Sequence, residues 1–373
     1  MAERRNLLTA GLAAGAALPA LAAPNLASAQ PRVRWRCPGS FPKSLDTLYG
    51  GHEFLCRRVS EMTEGAFQIQ PFGPGELVPA LQVMDAVGAG TVECGITLAS
   101  YYIGKDPALA IGACLPFGLN SRQTWSWLHF GGGRQALAPV YGDQGVHAIP
   151  ALNTAAQMGG WYRREIRGVA DLQGLKMRIA GLGGAVMAKL GVVPQQIAGG
   201  DIYPALERGT IDAAEWIGPY DDEKLGFNRV APFYYYPGFW EGGLNLSLYV
   251  NKNKFDELPA LYKDALESAC RDATMETMAK YDAMNPPALR RLVAAGAQLR
   301  PFPRDVMQAA YKASFELYDE LSAGNPRWKK VYDHFKAFRD TQIQWSRVAE
   351  NTYDNFVSLM QSQEQQATTQ QRR

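Results

Sequence analysis

Clustered positive charge is absent from this chain of 373 residues, whose formal net charge is only +2. Nucleic-acid binding calls for a basic face, so no nucleic-acid partner is expected. The sequence also lacks the His-Glu-x-x-His pattern of metalloproteases and the Gly-x-Ser-x-Gly turn of serine hydrolases. The commonest templates for hydrolytic enzymes are therefore excluded.

Cysteine is scarce as well. The five cysteines, Cys37, Cys56, Cys94, Cys114 and Cys270, show neither a Cys-x-x-Cys pair nor a regular spacing. An odd number leaves at least one thiol unpaired. Cys94 and Cys114 lie in apolar stretches and are interpreted as buried free thiols, with a disulfide as the alternative. The spacing predicts no metal site with sulfur ligands.

Long hydrophobic runs are missing except at the start, where residues 7–21 follow the pair Arg4-Arg5. This run is short for a membrane span, which needs roughly 20 apolar residues, and is typical of a signal peptide. Residues 1–29 are predicted to be a cleaved signal that directs the protein to the periplasm. The arginine pair resembles a twin-arginine signal, with an ordinary secretory signal as the alternative.

The remaining length exceeds what one hydrophobic core usually holds, so two lobes are expected. Residues 79–95 and 204–215 each begin with Pro-Ala-Leu and each reach Gly-Thr-[Val/Ile]-[Glu/Asp]. This pattern predicts a helix followed by a strand, once in each lobe. Other stretches alternate in the same way between strand and helix patterns, so the predicted fold class is α/β with mostly parallel sheets.

The predicted domain boundaries follow from this pattern. The first lobe takes residues 30–152 and roughly 242–290, and the second takes 153–241 and roughly 291–326. Residues 148–153 and 241–250 are the candidate strands at the hinge.

The C-terminal region has a different pattern. Apolar residues recur at spacings of three, four or seven through residues 327–361, which predicts one long helix. Its apolar face is covered either by the two lobes of its own chain or by a second subunit. The polar, glutamine-rich residues 362–373 are predicted to be a disordered tail.

Three sets of residues are candidates for binding. Arg178 ends a strand with alternating apolar residues, where ligands of α/β sheets tend to bind, and a guanidinium suits a carboxylate. Glu215 and Trp216 end the second repeated strand and offer a charge and an apolar wall. Asn153 and Gln157 are amides beside a hinge strand. The alternatives are a surface ion pair for Arg178 and a capped strand end for Glu215.

Two motifs give a resemblance to a known family. Leu-x-Gly-Leu-Lys-x-Arg at residues 172–178 and Ala-Leu-x-x-Gly-x-Ile-Asp at residues 205–212 resemble the solute receptors of tripartite ATP-independent periplasmic (TRAP) transporters. The resemblance covers the mature chain and is strongest to the branch that binds α-keto acids and related monocarboxylates. It implies a non-enzymatic receptor with a periplasmic-binding-protein fold of two lobes that close on the ligand.

The resemblance also implies the roles of single residues. Arg178 pairs with the carboxylate of the ligand. A metal cation, Na⁺ first and Ca²⁺ as the alternative, is held by oxygen ligands from Gln157, Glu215, Trp216 and Glu241. Further ligand contacts are expected from Tyr101, Tyr102 and Asn153, together with Gln157 and Trp216. The aromatic residues favour a small acid such as pyruvate, lactate or a short 2-oxo acid.

The partners that the resemblance implies are the TRAP membrane permease subunits and, through the C-terminal helix, a second copy of the chain. Two other functions stay open at this stage. One is a periplasmic enzyme in which Glu215 and Glu241 act as acid and base around a metal-polarised carbonyl. The other is a solute sensor that signals through a membrane kinase.

Overall fold

The computed structural model describes residues 31–371, with side chains up to residue 368. The predicted signal peptide, 1–29, lies outside the described residues. Within the described part, no helix is long and apolar enough to cross a membrane.

The strands in this part of the chain are short, and most have buried side chains on at least one face. They are β1 Val33–Pro38, β2 Phe67–Phe72, β3 Cys94–Thr97, β4 Val146–Asn153, β5 Trp161–Tyr162, β6 Lys176–Arg178, β7 Val193–Gln195, β8 Ala213–Ala214, β9 Phe233–Tyr236, β10 Asn245–Asn251 and β11 Gln298–Pro301.

The helices vary more in length. They are α1 Leu48–Met62, α2 Val83–Gly88, α3 Ser121–His129, α4 Gly133–Gly142, α5 Gly181–Lys189, α6 Gly199–Glu207, α7 Pro219–Leu225, α8 Lys252–Asp256, α9 Ala260–Ala294, α10 Arg304–Gly324, α11 Pro326–Ala349 and α12 Asn351–Gln371. Short 3₁₀ turns join several of them, including Ala99–Tyr102.

The strands form three sheets, and the predicted α/β fold class is confirmed. β1 and β2 are a parallel pair, β3-β10-β4 is an antiparallel sheet, and a sheet of six strands has the order β11-β9-β5-β8-β6-β7. In the large sheet β8, β6 and β7 are parallel, as are β9 and β11, while β5 runs antiparallel to both of its neighbours. The buried apolar side chains form two clusters, of which the smaller packs α5 and α10 against β6.

β4 and β10 contain the residues predicted to form the hinge strands. They pair antiparallel, with Asn153 opposite Asn245. β10 is buried along almost its whole length, because it is the middle strand and both of its faces are covered. The predicted boundaries of the two lobes stay a prediction.

The repeated helix–strand unit is confirmed. α2 leads to β3 in the first copy, and α6 leads to β8 in the second. The matching glycines, Gly90 and Gly209, have φ angles of 74° and 72°. This left-handed conformation ends a helix without the steric cost that a side chain would bring, so the same glycine stands in both copies.

The predicted long C-terminal helix is confirmed, and the structure adds two details. An interruption at Glu350 divides it into α11 and α12. The second helix continues to Gln371, through residues that composition predicted to be a disordered tail. Glutamine, glutamate and alanine are good helix formers and no glycine or proline interrupts them, so local propensity extends the helix without a buried face.

The two C-terminal helices are covered to different extents. Trp328, Val331, Tyr332 and Phe335 of α11 are buried against the chain's own helices. Beyond Phe338, which packs on the core, most large apolar side chains are exposed, and these are Ile343, Trp345, Val348, Tyr353, Phe356, Leu359 and Met360. The first part of this region therefore packs on its own chain, whereas the apolar side chains of the second part do not.

Candidate functional site

The site is assembled where two neighbouring parallel strands end. β6 and β8 pair with Arg178 opposite Ala214, so Arg178 and the next residue after β8, Glu215, come side by side. The turn that follows β9 brings Glu241 to the same place. The carboxyl ends of parallel strands share one edge of the sheet, and this is where ligands of α/β proteins bind.

Arg178 is buried, with only 2% of its surface exposed. Its Nε donates to the carbonyl of Ile197 at 3.1 Å, and its Nη1 donates to the carbonyl of Glu215 at 2.9 Å and to the Glu215 carboxylate. Nη2 lies 3.5 Å from the Tyr101 hydroxyl, and the guanidinium lies over the Trp216 ring at 5.0 Å. A guanidinium has five N–H donors, so Nη2 keeps donor capacity for a ligand.

The charges in this cluster do not balance. Burial and the nearby charge of Glu215 together raise the pKa of Glu241 to about 8, while Arg178 opposes the change. Burial likewise raises the pKa of Glu215 against the effect of Arg178. One arginine thus faces two buried carboxyl groups, and a further positive charge would stabilise both in the ionised form.

Gln157 is placed beside Glu241 by the loop after β4. Its Nε2 donates to the Thr154 hydroxyl at 3.0 Å, and its side chain is within hydrogen-bonding reach of Glu241. Its Oε1 is buried and accepts no hydrogen bond from any residue that the structure describes. Buried acceptors are rarely left without a partner, and an amide oxygen beside two carboxyl groups is a donor set that a hard cation prefers. These residues therefore fit a bound cation.

The cluster opens into a small cavity of about 20 Å³. Its walls are largely apolar and aromatic, with polar groups only where the strands end. The lining residues are Phe41, Leu48, Leu98, Tyr101, Arg178, Ala180, Glu215, Trp216, Ile217, Glu241 and Leu244. Burial raises the pKa of Tyr101 to about 12, so its hydroxyl stays protonated and can donate to a ligand.

Five of the residues predicted from the sequence line this cavity, namely Arg178, Glu215, Trp216, Glu241 and Tyr101, and Gln157 adjoins it. Two do not reach it. The Tyr102 hydroxyl accepts a hydrogen bond from the Met84 backbone N–H at 2.9 Å, because the 3₁₀ turn directs neighbouring side chains to different sides. Asn153 Oδ1 accepts from the Ala155 N–H at 2.9 Å and so shapes the turn after β4.

Sequence reasoning missed several residues of the site. Gln196 and Ile197 follow β7, so the rule that selected Arg178 could have found them. Gln196 Nε2 donates to the carbonyl of Tyr101 at 3.0 Å, and Ile197 accepts from Arg178. Phe41, Leu48 and Leu244 carry no signal of a site, because they are apolar residues from distant parts of the chain that meet only in the folded protein.

A buried arginine and an apolar cavity at strand ends, in this α/β fold, are the features of a solute-binding protein. The family profile of bacterial extracellular solute-binding proteins, family 7 (DctP), matches residues 39–325. This chain belongs to that family, which includes the solute-binding proteins of TRAP transporters, and the resemblance inferred from the motifs is confirmed.

The relatives are similar over nearly their whole length. The monocarboxylate 2-oxoacid-binding periplasmic protein of Nostoc sp. is 51% identical over 365 residues, which are 97% of this chain and 100% of that protein. A TRAP solute-binding protein from Bordetella bronchiseptica, with calcium and picolinate bound in a mixed-occupancy dimer, has a TM-score of 0.88 and 53% identity, covering 90% of this chain and 99% of the other. One from Pseudoalteromonas atlantica, with sodium and pyruvate, has a TM-score of 0.84 and 33% identity, covering 87% and 99%.

Proposed function

We propose that this protein is the periplasmic receptor of a TRAP transporter and that it captures a small 2-oxo monocarboxylate together with Na⁺ or Ca²⁺ for delivery to the membrane permease. The observation that carries the proposal is the buried Oε1 of Gln157, which has no partner among the described residues although its side chain lies beside Glu241, a carboxyl group that shares Arg178 with Glu215. The names of the Nostoc and Pseudoalteromonas relatives give a 2-oxoacid and pyruvate as ligands, and the picolinate of the Bordetella structure is also a small monocarboxylate.

The ligand carboxylate is held by Arg178 and Tyr101. The Nη2 group and the Tyr101 hydroxyl lie 3.5 Å apart at the cavity, so one carboxylate oxygen can accept from both. Bidentate binding of the ligand carboxylate to the guanidinium would require Nη1 to release the Glu215 carboxylate. Burying an anion is costly unless its hydrogen bonds and charge are matched, and the arginine meets both needs.

The cation is held by oxygen atoms of Gln157, Glu215 and Glu241, with the carbonyl of Trp216 as a further ligand. When bound, it supplies a positive charge that the carboxylate and keto oxygens of a 2-oxo acid can share. Gln157 Oε1 gains the partner that it lacks, and Glu241 gains the charge that favours its ionised form. Soft metals are disfavoured here because every donor is oxygen.

Isothermal titration with pyruvate tests this proposal. Affinity is expected in the presence of calcium or sodium and is expected to fall when divalent ions are chelated and sodium is replaced by choline. Glu241→Gln keeps the shape of the side chain and removes the charge that binds the cation, so it should lose the cation-dependent part of the affinity. Glu165→Gln, which alters an exposed carboxylate paired with Arg300, is the matched control. Equal pyruvate affinity with and without cations would contradict the proposal.

The receptor is proposed to bind its ligand without converting it. The alternative, metal-assisted enolisation with Glu215 and Glu241 as acid and base, would exchange the methyl protons of pyruvate with solvent. Pyruvate incubated with the protein in D₂O should therefore lose its methyl proton signal in NMR no faster than it does without protein. Faster loss that disappears in Glu241→Gln would favour the enzyme.

We also propose that two copies of the chain pair through α12 and the end of α11. The apolar side chains exposed there, Trp345, Val348, Tyr353, Phe356 and Leu359, recur along one stretch of helix. A large exposed apolar patch on a secreted protein is typical of an interface. This supports the interpretation in which a second subunit covers the end of the C-terminal region.

Light scattering after gel filtration tests the pairing. The native chain should have the mass of a dimer, and the double change Trp345→Glu with Phe356→Glu should give a monomer with unchanged circular dichroism. Val293→Glu alters an apolar residue that is also exposed but lies on α9, and it should leave the dimer intact. A monomeric native chain at micromolar concentration would rule out the proposed interface.

A further inference from the structure

A second buried cluster of chemically active side chains lies away from the cavity. Cys37 is near the end of β1, while His52 and Cys56 lie on α1. Their ligand atoms, two sulfurs and an imidazole nitrogen, are all within 4.8 Å of one another. His52 and Cys56 are four residues apart, so they lie on the same face of the helix and both reach β1.

Cys94 offers a fourth sulfur beside Cys37, outside the group of three ligand atoms that lie within 4.8 Å of one another. The Cys37 thiol is within hydrogen-bonding reach of the thiols of both Cys56 and Cys94, and Cys94 begins β3. All four side chains are almost wholly buried. Three sulfurs and one imidazole are a common ligand set of tetrahedral structural zinc sites.

We infer that Cys37, His52 and Cys56 form a binding site for a thiophilic cation such as Zn²⁺, with the neighbouring Cys94 as the fourth ligand after a side-chain shift. Tetrahedral coordination with Zn–S bonds of about 2.3 Å places ligand atoms roughly 3.5–3.8 Å apart. The ligand atoms of Cys37, His52 and Cys56 lie up to 4.8 Å apart and need to approach by about 1 Å at their widest, a shift that side-chain torsions can supply.

His52 provides the strongest argument for an occupant. Its Nε2 is buried and forms no hydrogen bond with any residue in the described part of the chain. The ring also packs closely on the backbone of Gly39, where an added Cβ would lie 2.9 Å from Nδ1. The fold thus buries an imidazole that has one nitrogen without a hydrogen bond to any described residue. Such a nitrogen can bind a metal ion.

A disulfide is the competing use of these thiols. A bond between Cys37 and Cys56 would leave the Nε2 of His52 without a partner among the described residues, whereas a cation engages the imidazole as well as the thiols. All five cysteines are free thiols in the structure. Cys56 also lines a surface depression next to Glu53 and Arg57, which gives a cation a path to the cluster.

Cation binding changes the protonation of the ligands and leaves their oxidation state unchanged. The three thiols lose their protons to solvent, the imidazole binds in its neutral form, and no electron is transferred. Sulfur donors favour Zn²⁺ or Cu⁺ over Na⁺ and Ca²⁺. The site is therefore chemically separate from the oxygen-lined cavity, and neither proposal depends on the other.

Cobalt substitution tests the site in the full mature chain. The protein, reduced and freed of metal, is titrated with Co²⁺ under argon. Coordination by thiolates should produce ligand-to-metal charge-transfer absorption and the intense d–d bands of a tetrahedral ion, saturating at one Co²⁺ per chain. Zn²⁺ should then abolish these bands.

Variants separate this site from other places where a cation could bind. Cys37→Ala should lose the charge-transfer bands, and His52→Gln should weaken and shift them while leaving three thiolates. Cys270→Ala removes a buried thiol outside the ligand set, and Glu241→Gln alters the cavity, so both should keep the native spectrum. Circular dichroism confirms that each variant is folded.

Three results would overturn the inference. The first is the absence of thiolate bands in a native chain whose five thiols are shown to be reduced. The second is a full spectrum in folded Cys37→Ala. The third is a Cys37–Cys56 disulfide, found by peptide mass spectrometry, in protein isolated from the periplasm without reductant.

Discussion

Two pairs of buried carboxyl groups lie within residues 215–241 of the chain and differ in the groups that surround them. Glu215 and Glu241 face the cavity, whereas Asp221 and Asp222 lie on α7. All four are almost wholly buried. Glu215 and Glu241 belong to a ligand-binding site, whereas Asp221 and Asp222 stabilise the fold.

The aspartates are satisfied by neutral donors of their own chain. Asp222 Oδ2 accepts from Trp161 Nε1 at 3.0 Å and from the Tyr234 hydroxyl at 2.8 Å. Asp221 accepts in the same way from two hydroxyls, those of Thr47 and Tyr281. The glutamates instead share one arginine and lie beside an amide oxygen with no donor. Complete satisfaction indicates a structural role, and incomplete satisfaction indicates a bound partner.

Arg178→Lys should have the largest effect on binding. Lysine keeps the charge but lacks the planar set of donors that reaches Ile197, Glu215 and the cavity together. Breaking a buried hydrogen-bonded charge pair costs about 2–5 kcal/mol, which weakens pyruvate binding roughly 30-fold to several thousandfold. Titration calorimetry measures this, with the exposed Arg300→Lys as control. An affinity within threefold of the native value would remove Arg178 from the site.

Asp222→Ala should lower the stability of the fold and leave pyruvate binding unchanged. It leaves the Trp161 N–H and the Tyr234 hydroxyl buried without an acceptor, and each such group costs about 1–3 kcal/mol of stability. Urea unfolding should show this loss, while pyruvate affinity of the folded protein stays native. Asp256→Ala, at an exposed carboxylate, should change stability little. A loss of pyruvate affinity in Asp222→Ala without a loss of stability would reverse the assignment of the two pairs.

The stability of the protein should depend on pH through the same aspartate. Burial raises the pKa of Asp222 from 3.8 to about 7, although hydrogen bonds from Tyr234 and Trp161 oppose the rise. The folded state then binds this proton more tightly than the unfolded chain does. The stability that Asp222 contributes is complete below pH 3.8 and is lost as the pH rises through 7.

Melting temperatures between pH 5 and pH 8 test this dependence without ligand. Asp222→Asn imitates the protonated side chain, so its melting temperature should fall less over this range than that of the native chain. Burial lowers the pKa of His147, which gives an opposite slope at lower pH. The contribution of His147 is the same in the native chain and in Asp222→Asn, so it cancels when the two melting temperatures are subtracted. Parallel curves would show that Asp222 does not titrate in this range.

Tyr101→Phe should have the smallest of these effects, a loss of about 0.5–1.5 kcal/mol in pyruvate binding for one hydrogen bond. Tyr102→Phe is its matched control, because that hydroxyl accepts from Met84 and does not line the cavity. The adjacent pair therefore tests directly which tyrosine contacts the ligand. Equal losses in both variants would contradict the placement of the ligand against Tyr101.

Patterns within single segments predicted much of the site. Arg178 was found because it ends a strand whose apolar side chains alternate, and Glu215 because it ends the second repeated strand; strand ends of parallel sheets meet at one edge. The repeated glycines Gly90 and Gly209 marked the ends of equivalent helices. Tyr102 was misplaced because the residues after β3 turn in a 3₁₀ helix, where neighbouring side chains diverge and strand alternation no longer applies.

The sequence by itself determined the fold class, the family, the repeated helix–strand unit and the arginine that faces the cavity. Each of these depends on the spacing of residues within one segment, which local backbone geometry converts into faces and ends. Only the tertiary structure decided that Gln157 Oε1 has no partner among the described residues and that Cys37, His52 and Cys56 meet, with Cys94 beside Cys37. These residues belong to separate strands, helices and loops. The packing of the core sets the distances between them, and the spacing of residues along the chain does not specify those distances.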